Sequence, residues 1–487
     1  MKSKNLKVNV LFNFLSQVLT LIIPLITTPY LSRVLHEEGN GQISYSLSII
    51  TIFVLFSSLG FTTYGQREIA KVRDDKTLKS KVFWEIVISK FFTTILSACV
   101  FFCFYFTIGF KKCDYLILIF SIEIFSNIFD ITFLFYGEEN FKSLAIRTIL
   151  FKLLGLILIF CFVKTENDTW IYALCLSLSL LFSYLIMWPS LKNKISFIPF
   201  KELSLKRHFV PALRIFLPQL AVVIFSTLDK SMIGWFSSNS DYDNGCYEQA
   251  YKINSAALLL VTVISPVFAP RNAYDYEHKN MDQLKRHLNF SIHYTWMIGL
   301  PLIAGFYVLA GNLCTWYLGS GYDEVPLLLK IMSIRFVSSG FSELCGNQLF
   351  IAIGKEKSVT IATFFAAFLN CILNYFFITW WGAIGAAIST AICECVVALI
   401  LIILSIKEKL ILKFDFIKCL WKYLLSSIIM FVTIYFIQKV LPNEIWSFCV
   451  IVLIGGIEYF LCLIVLKEEY LLTFIKNVTK KFHKKKE

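Results

Sequence analysis

Charge is what this sequence has least of. Asp, Glu, Lys and Arg together make up 16% of its 487 residues, against about a quarter in an ordinary soluble chain. It also lacks the spacings of metal and redox sites. The fourteen cysteines form no close CxxC pair. Cys393 and Cys395 are two apart and so face different sides of a helix. Cys99, Cys103, Cys161, Cys175, Cys371 and Cys462 sit inside apolar runs and read as small apolar residues. No metal site and no cofactor is expected. No loop is longer than about twenty residues, which leaves no room for a soluble catalytic domain, and an enzyme is not expected. The basic start Met1–Lys7 runs into an apolar stretch too long for a cleavable signal peptide and without a small-residue cleavage site.

What is present is apolar surface. Apolar residues reach 57%, Phe alone occurs 48 times, and the mean hydropathy is +0.69. A water-soluble fold must cover its outside with polar groups, and this composition cannot. A bilayer removes that requirement. The net charge of +13 does not indicate nucleic acid, because the basic residues lie in short loops between apolar runs.

A spanning helix needs about 20 mostly apolar residues. That rule predicts an all-α integral membrane protein with about fourteen transmembrane helices, over 8–35, 42–66, 82–109, 114–137, 143–164, 169–190, 210–236, 246–270, 288–318, 325–353, 358–381, 382–406, 417–440 and 446–466. The turn at Trp381–Gly382 is the tightest break. Lys and Arg set the orientation. With the N-terminus inside, inward segments carry 34 of them and outward loops only Lys111, Lys112, Lys164 and Lys439. Both termini are expected in the cytoplasm.

An internal repeat emerges at a shift of about 200 residues. Phe14–Gln17 matches Phe216–Gln219, and Gly41, Ile49 and Arg67 match Gly245, Ile253 and Arg271 at an offset of 204. Six helices per unit predict two parallel six-helix lobes related by a pseudo-two-fold axis along the membrane normal, with the site between them. The expected divisions are an N-terminal lobe over 1–190, a cytoplasmic linker over 191–209, a C-terminal lobe over 210–406, and two additional helices with a basic tail over 407–487.

The segment from Pro24 through Pro29-Tyr30-Leu31-Ser32-Arg33-Val34-Leu35 continues to Gly39, Gly41 and Gly60 and then Tyr64-Gly65-Gln66-Arg67-Glu68-Ile69-Ala70. It resembles the opening of the Wzx-type O-antigen and capsule repeat-unit flippases, in the polysaccharide branch of the multidrug/oligosaccharidyl-lipid/polysaccharide exporter superfamily. Leu228-Asp229-Lys230 to Gly234, Tyr247 to Ile253, and Gly382 to Ala387 with Glu394 agree with it, so the likeness spans residues 9–395. His36 departs from it, because such proteins more often have Gly there. The resemblance implies two lobes that open alternately to each side. It implies as substrate an undecaprenyl-pyrophosphate-linked oligosaccharide, flipped from the inner to the outer leaflet of a bacterial cytoplasmic membrane for surface polysaccharide synthesis. A polysaccharide polymerase and a chain-length regulator are the partners such a pathway would supply, beside membrane lipids.

A pyrophosphate crossing hydrocarbon needs cations. The family architecture puts helices 1, 2, 7 and 8 around the cavity, and these carry Arg33, Lys230 and Lys252 toward the outside and Arg67 and Arg271 at the inner ends. Each has a structural alternative. Arg67 and Arg271 could be positive-inside anchors, Arg33 could snorkel to the interface, and Lys230 could be neutralised by Asp229, although adjacent residues face different sides of a helix. Asp229, Asp130, Glu394 and Glu343 are candidates for coupling to an ion; the alternative is burial against Lys152, Arg335 or Lys330. Pro24 and Pro29 predict a bend in helix 1, a hinge or a static kink. Gly382, Gly385 and Ala386 suit close helix packing. Competing functions are a lipid II flippase, a drug/cation antiporter, which would want an acid-rich cavity, and a membrane polysaccharide polymerase, which would want a long outward loop.

Overall fold

In hydrocarbon an apolar run can satisfy its own backbone only as a helix or in a closed barrel. The computed structural model takes the first course. It describes residues 22–107, 109–110, 114–192, 194–408, 410 and 420–473, and no strand occurs among them. In chain order come α1 (helical over 22–34), α2 (His36–Ser58), α3 (Phe61–Val72), α4 (Lys76–Thr107), α5 (Asp114–Phe120), α6 (Ile122–Phe129), α7 (Thr132–Gly137), α8 (Phe141–Phe162) and α9 (Thr169–Leu185). They are followed by α10 (Lys206–Phe236), α11 (Ser240–Thr262), α12 (Ser265–Glu277), α13 (Met281–Tyr317), α14 (Val325–Met332), α15 (Arg335–Glu343), α16 (Glu356–Lys407), α17 (Leu420–Val440) and α18 (Ile445–Val465). A π-helical turn, Leu344–Ile351, continues α15.

Eleven stretches of the described residues are long and apolar enough to cross a membrane. This is consistent with about fourteen helices, because the three differences have local causes. The expected span 8–35 lies partly outside the described residues. The run 114–137 is broken into α5, α6 and α7. The 52-residue α16 is two arms joined at Gly382, whose φ of 53° and ψ of −129° are not helical. The expected turn at Trp381–Gly382 is therefore present. The arms fold close, since a Cβ on Gly385 would lie 2.0 Å from the Phe377 carbonyl oxygen.

Other spans break where a residue forbids continuation. The run read as one helix over 42–66 divides at Gly60, which has φ 77° and lies against α10, its absent Cβ only 2.6 Å from the Ala212 carbonyl. The run 246–270 divides before Pro266, which suits the first turn of α12 but not a helix interior.

Contacts divide the chain into two compact units, Met1–Glu248 and Gln249–Glu487. In the first, α2 packs on α4, α5, α6 and α10, α3 on α7, and α8 on α9. One apolar cluster gathers Leu35, Ile50, Phe101, Phe120 and Ile124, and a second gathers Phe61, Phe83, Ile86, Phe133 and Phe135. In the second unit α13 is the hub, touching α12, α14, α15, α17 and α18, while α16 packs on α14 and α15. The described cysteines are free thiols. Phe14–Gln17, Lys111, Lys112 and the residues beyond 473 lie outside the described set.

Candidate functional site

Buried charge in an apolar bundle needs a partner, so the charged groups mark where function can reside. In the first unit α2, α10 and the start of α11 meet in a polar cluster. Two glycines let the backbones approach. A Cβ on Gly41 would lie 1.7 Å from the Asp241 carbonyl oxygen, and one on Gly245 would lie 1.9 Å from that of Glu37. Across this contact Gln42 Nε2 donates to Asp241 Oδ2 and Ser44 Oγ donates to Glu248 Oε2, each at 3.2 Å. The same Glu248 oxygen meets Lys230 Nζ at 2.5 Å. Asp229 points elsewhere, accepting from the Tyr247 hydroxyl at 2.5 Å. Lys230 thus has Glu248 as a partner across the helices, as the different facing of neighbouring residues requires. Tyr45 covers Gly234, and Ser48 and Ser231 share a hydrogen bond at 2.7 Å.

Asp130 sits in the break between α6 and α7. Its Oδ1 accepts from the Thr132 amide at 2.9 Å and hydroxyl at 2.5 Å, capping α7. Fully buried Lys90 of α4 donates to Asp130 Oδ2 at 3.0 Å and to its backbone carbonyl at 2.8 Å. One lysine therefore neutralises the acid and satisfies a carbonyl that the broken helix leaves open. Lys152 is not the partner; it lines a cavity of about 660 Å³ among α1 and α6–α9, together with Glu123, Tyr136 and Tyr184.

Glu85, buried on α4, gathers the start of α10. It accepts from Ser204 N–H at 2.8 Å, His208 Nε2 at 2.8 Å and Arg207 Nη2 at 2.5 Å. The Tyr64 hydroxyl of α3 meets His208 Nδ1 at 2.9 Å. Nearby, Ser80 and Trp84 hold Ser196 of the connecting segment through its N–H and its carbonyl. At the adjoining surface Glu138 bonds Lys79 at 2.9 Å and also Lys194. Burial pushes the Glu138 carboxyl up, but the hydrogen bonds from Lys194 and Lys79 outweigh it and hold the group below the usual carboxylate range.

The second unit has its own buried ion pair. Arg335 donates to Glu394 Oε1 at 3.4 Å and to Asn254 Oδ1 at 3.1 Å, and its guanidinium lies 5.0 Å from the centre of the Tyr251 ring. Ser339 Oγ donates to the other Glu394 oxygen at 2.9 Å. The pairing of Glu394 with Arg335 is one of the alternatives weighed from the sequence. Glu343 accepts from Asn347 Nδ2 at 2.6 Å beside the π-helical turn. Lys252 is partly buried on α11, and Arg271 is exposed on α12.

Arg33 and Arg67 are exposed. Arg33 Nη1 turns back to the Pro29 carbonyl at 2.7 Å. Pro24 and Pro29 lie inside α1, where Thr27 bonds the carbonyls of Ile23 and Pro24, and Ser32 bonds that of Pro29. His36 turns the chain from α1 into α2 with φ 53°. That left-handed conformation favours glycine, which explains why the related pattern prefers Gly there. Sequence reasoning missed Lys90, Glu85, His208 and Glu248 as partners. For Glu248 a signal existed, because Ser44 and Glu248 are 204 apart, the repeat offset itself.

A family model described as "Polysaccharide biosynthesis protein" matches residues 6–273, and one described as "Lipid II flippase MurJ" matches residues 254–455. An Escherichia coli (strain K12) protein named "Putative O-antigen transporter" is 24% identical over 420 residues, covering 84% of this chain and 98% of that protein. Among solved structures, the lipid II flippase MurJ in an inward closed conformation aligns with a TM-score of 0.77 at 18% identity, over 95% of this chain and 100% of that one. An inward-facing MATE-family multidrug resistance transporter aligns with a TM-score of 0.61 at 16% identity, over 80% and 98%. These structural likenesses establish the fold.

Proposed function

The chain belongs to the polysaccharide biosynthesis protein family, and from that premise we propose that it is a flippase, moving a lipid-linked oligosaccharide across the bilayer without changing it chemically. It is a multi-pass membrane transporter, not an enzyme. The observation that carries the reading is the likeness, along 98% of its length, to the Escherichia coli protein named for O-antigen transport.

The finer reading adds the lipid and the direction. The substrate is an oligosaccharide on undecaprenyl pyrophosphate, carried from the inner to the outer leaflet of a bacterial cytoplasmic membrane. The loop asymmetry of 34 basic residues to four supports cytoplasmic termini. Lobes over 1–190 and 210–406 open alternately. Arg67 and Arg271 receive the pyrophosphate, and Arg33, Lys230 and Lys252 draw it outward. Asp229, Asp130 and Glu394 are the acids that could exchange a partner for a proton or cation. Pro24 and Pro29 let α1 bend. A polymerase and a chain-length regulator act on the product.

The test is restoration of surface polysaccharide in a strain lacking its own repeat-unit flippase. The unaltered chain is expected to restore the polymer, and Lys252→Ala and Arg33→Ala to fail at equal protein level. Failure of the unaltered chain with its cognate sugar pathway present overturns the reading. The lipid II flippase is the second reading, supported by the match over 254–455; rescue of growth in a strain depleted of that activity would favour it.

A further inference from the structure

Lys230 and Glu248 stand on neighbouring helices, and each side chain is 15% exposed. Glu248 Oε2 also takes the Ser44 hydrogen bond from α2, so one carboxylate oxygen serves three helices. Asp229, the nearer acid in sequence, is bonded to Tyr247. The ammonium is a compact point charge whose strong acceptors are carboxylate and phosphate oxygens alike. Without an anion beside it, a cation at this depth would be costly. Glu248 supplies that anion in the structure.

We propose that Glu248 is an internal stand-in for the substrate's phosphate: it holds Lys230 while the carrier is empty, yields it to the pyrophosphate, and reclaims it at release. This rests on the flippase reading above and on Lys230 as a ligand in it. A pyrophosphate carries more negative charge than one carboxylate and can displace it. The tethered carboxylate returns at high effective concentration, which lets a tightly held polyanion leave. Displacement also frees Glu248 from its place beside Ser44, so occupancy at Lys230 is felt at the contact of α2 with α11.

The test is equilibrium binding of inorganic pyrophosphate to the purified full chain in detergent. Removing the competing carboxylate with Glu248→Gln is expected to tighten binding about tenfold, the scale of one charge-assisted hydrogen bond. Lys230→Gln is expected to weaken it, and Glu248→Asp to keep the wild-type value. Glu248→Met serves as a second neutral replacement should Gln not fold. Binding by the folded neutral variants no tighter than wild type overturns the exchange, as would a merely structural ion pair. Restoration of surface polysaccharide is scored separately, so loss of the flippase reading and loss of the exchange appear in different assays.

Discussion

Gly41 and Gly245, 204 residues apart, each lie against the carbonyl four residues upstream of the other: Gly41 on Asp241, Gly245 on Glu37. Reciprocal contact of this kind is the signature of a two-fold axis, where residue i meets j and j meets i. The starts of α2 and α11 therefore meet in a local reciprocal contact. Ser44 and Glu248, with the same spacing, bond across it.

A methyl group at either glycine would collide with backbone, which cannot swing aside. Gly41→Ala and Gly245→Ala are each expected to destabilise by about 3 kcal/mol, and by similar amounts because their surroundings correspond. The double variant should lose less than the sum, since parting the helices once relieves both collisions. Thermal unfolding of the purified variants checks this. Tolerance of either alanine would remove the close approach.

The buried pair of Lys90 and Asp130 gives a second expectation. Leaving one partner of a buried ion pair alone costs about 3–5 kcal/mol. Lys90→Met should therefore lower the yield of folded protein sharply. Lys90→Met with Asp130→Asn should recover much of it, because Asn keeps an acceptor for the α7 cap and removes the stranded charge. Gel-filtration profiles of both variants decide it. Equal loss in the single and double variants would make Asp130 important for something other than charge balance.

The fold was largely legible because the bilayer makes spans long, uniform and charge-poor. The breaks were less so. Gly382 announced itself beside two tryptophans, but Gly60 looked like any helical glycine until α10 was seen against it. Side-chain partners were hardest. Asp130 could be singled out as an acid in an apolar run, yet nothing local points to Lys90, forty residues earlier on another helix. Glu394 with Arg335 was foreseeable because few cations lie deep enough to serve it.

His36 supplies a third prediction. Its φ of 53° strains any side chain, by about 1 kcal/mol or more, and glycine adopts it freely. His36→Gly should raise the unfolding temperature slightly, the gain being reduced by glycine's greater freedom in the unfolded chain. His36→Val should lower it, because a β-branched residue is worst there. A marked loss with Gly would mean that the imidazole itself makes a contact the protein needs.

The last prediction concerns acid. Glu468, just past α18, is buried where α13, α17 and the chain after α18 meet. It accepts from the Tyr423 hydroxyl at 2.8 Å and the Leu471 amide at 2.6 Å, and lies 3.4 Å from His293 Nδ1. Burial pushes its carboxyl up, but the bonds from His293, Leu471, Tyr423 and Tyr470 prevail and hold it at about 2, below the ordinary 4.5. A carboxyl depressed on folding adds stability that is fully present above its unfolded value and is lost as pH falls through the folded one. The docking of α17 on α13 should therefore weaken between about pH 4.5 and 2. Hydrogen exchange of α17 amides, corrected for intrinsic rates, should rise across that window in the unaltered protein. In Glu468→Gln it should be high throughout and nearly flat. A flat profile in the unaltered protein would show that Glu468 does not hold this junction.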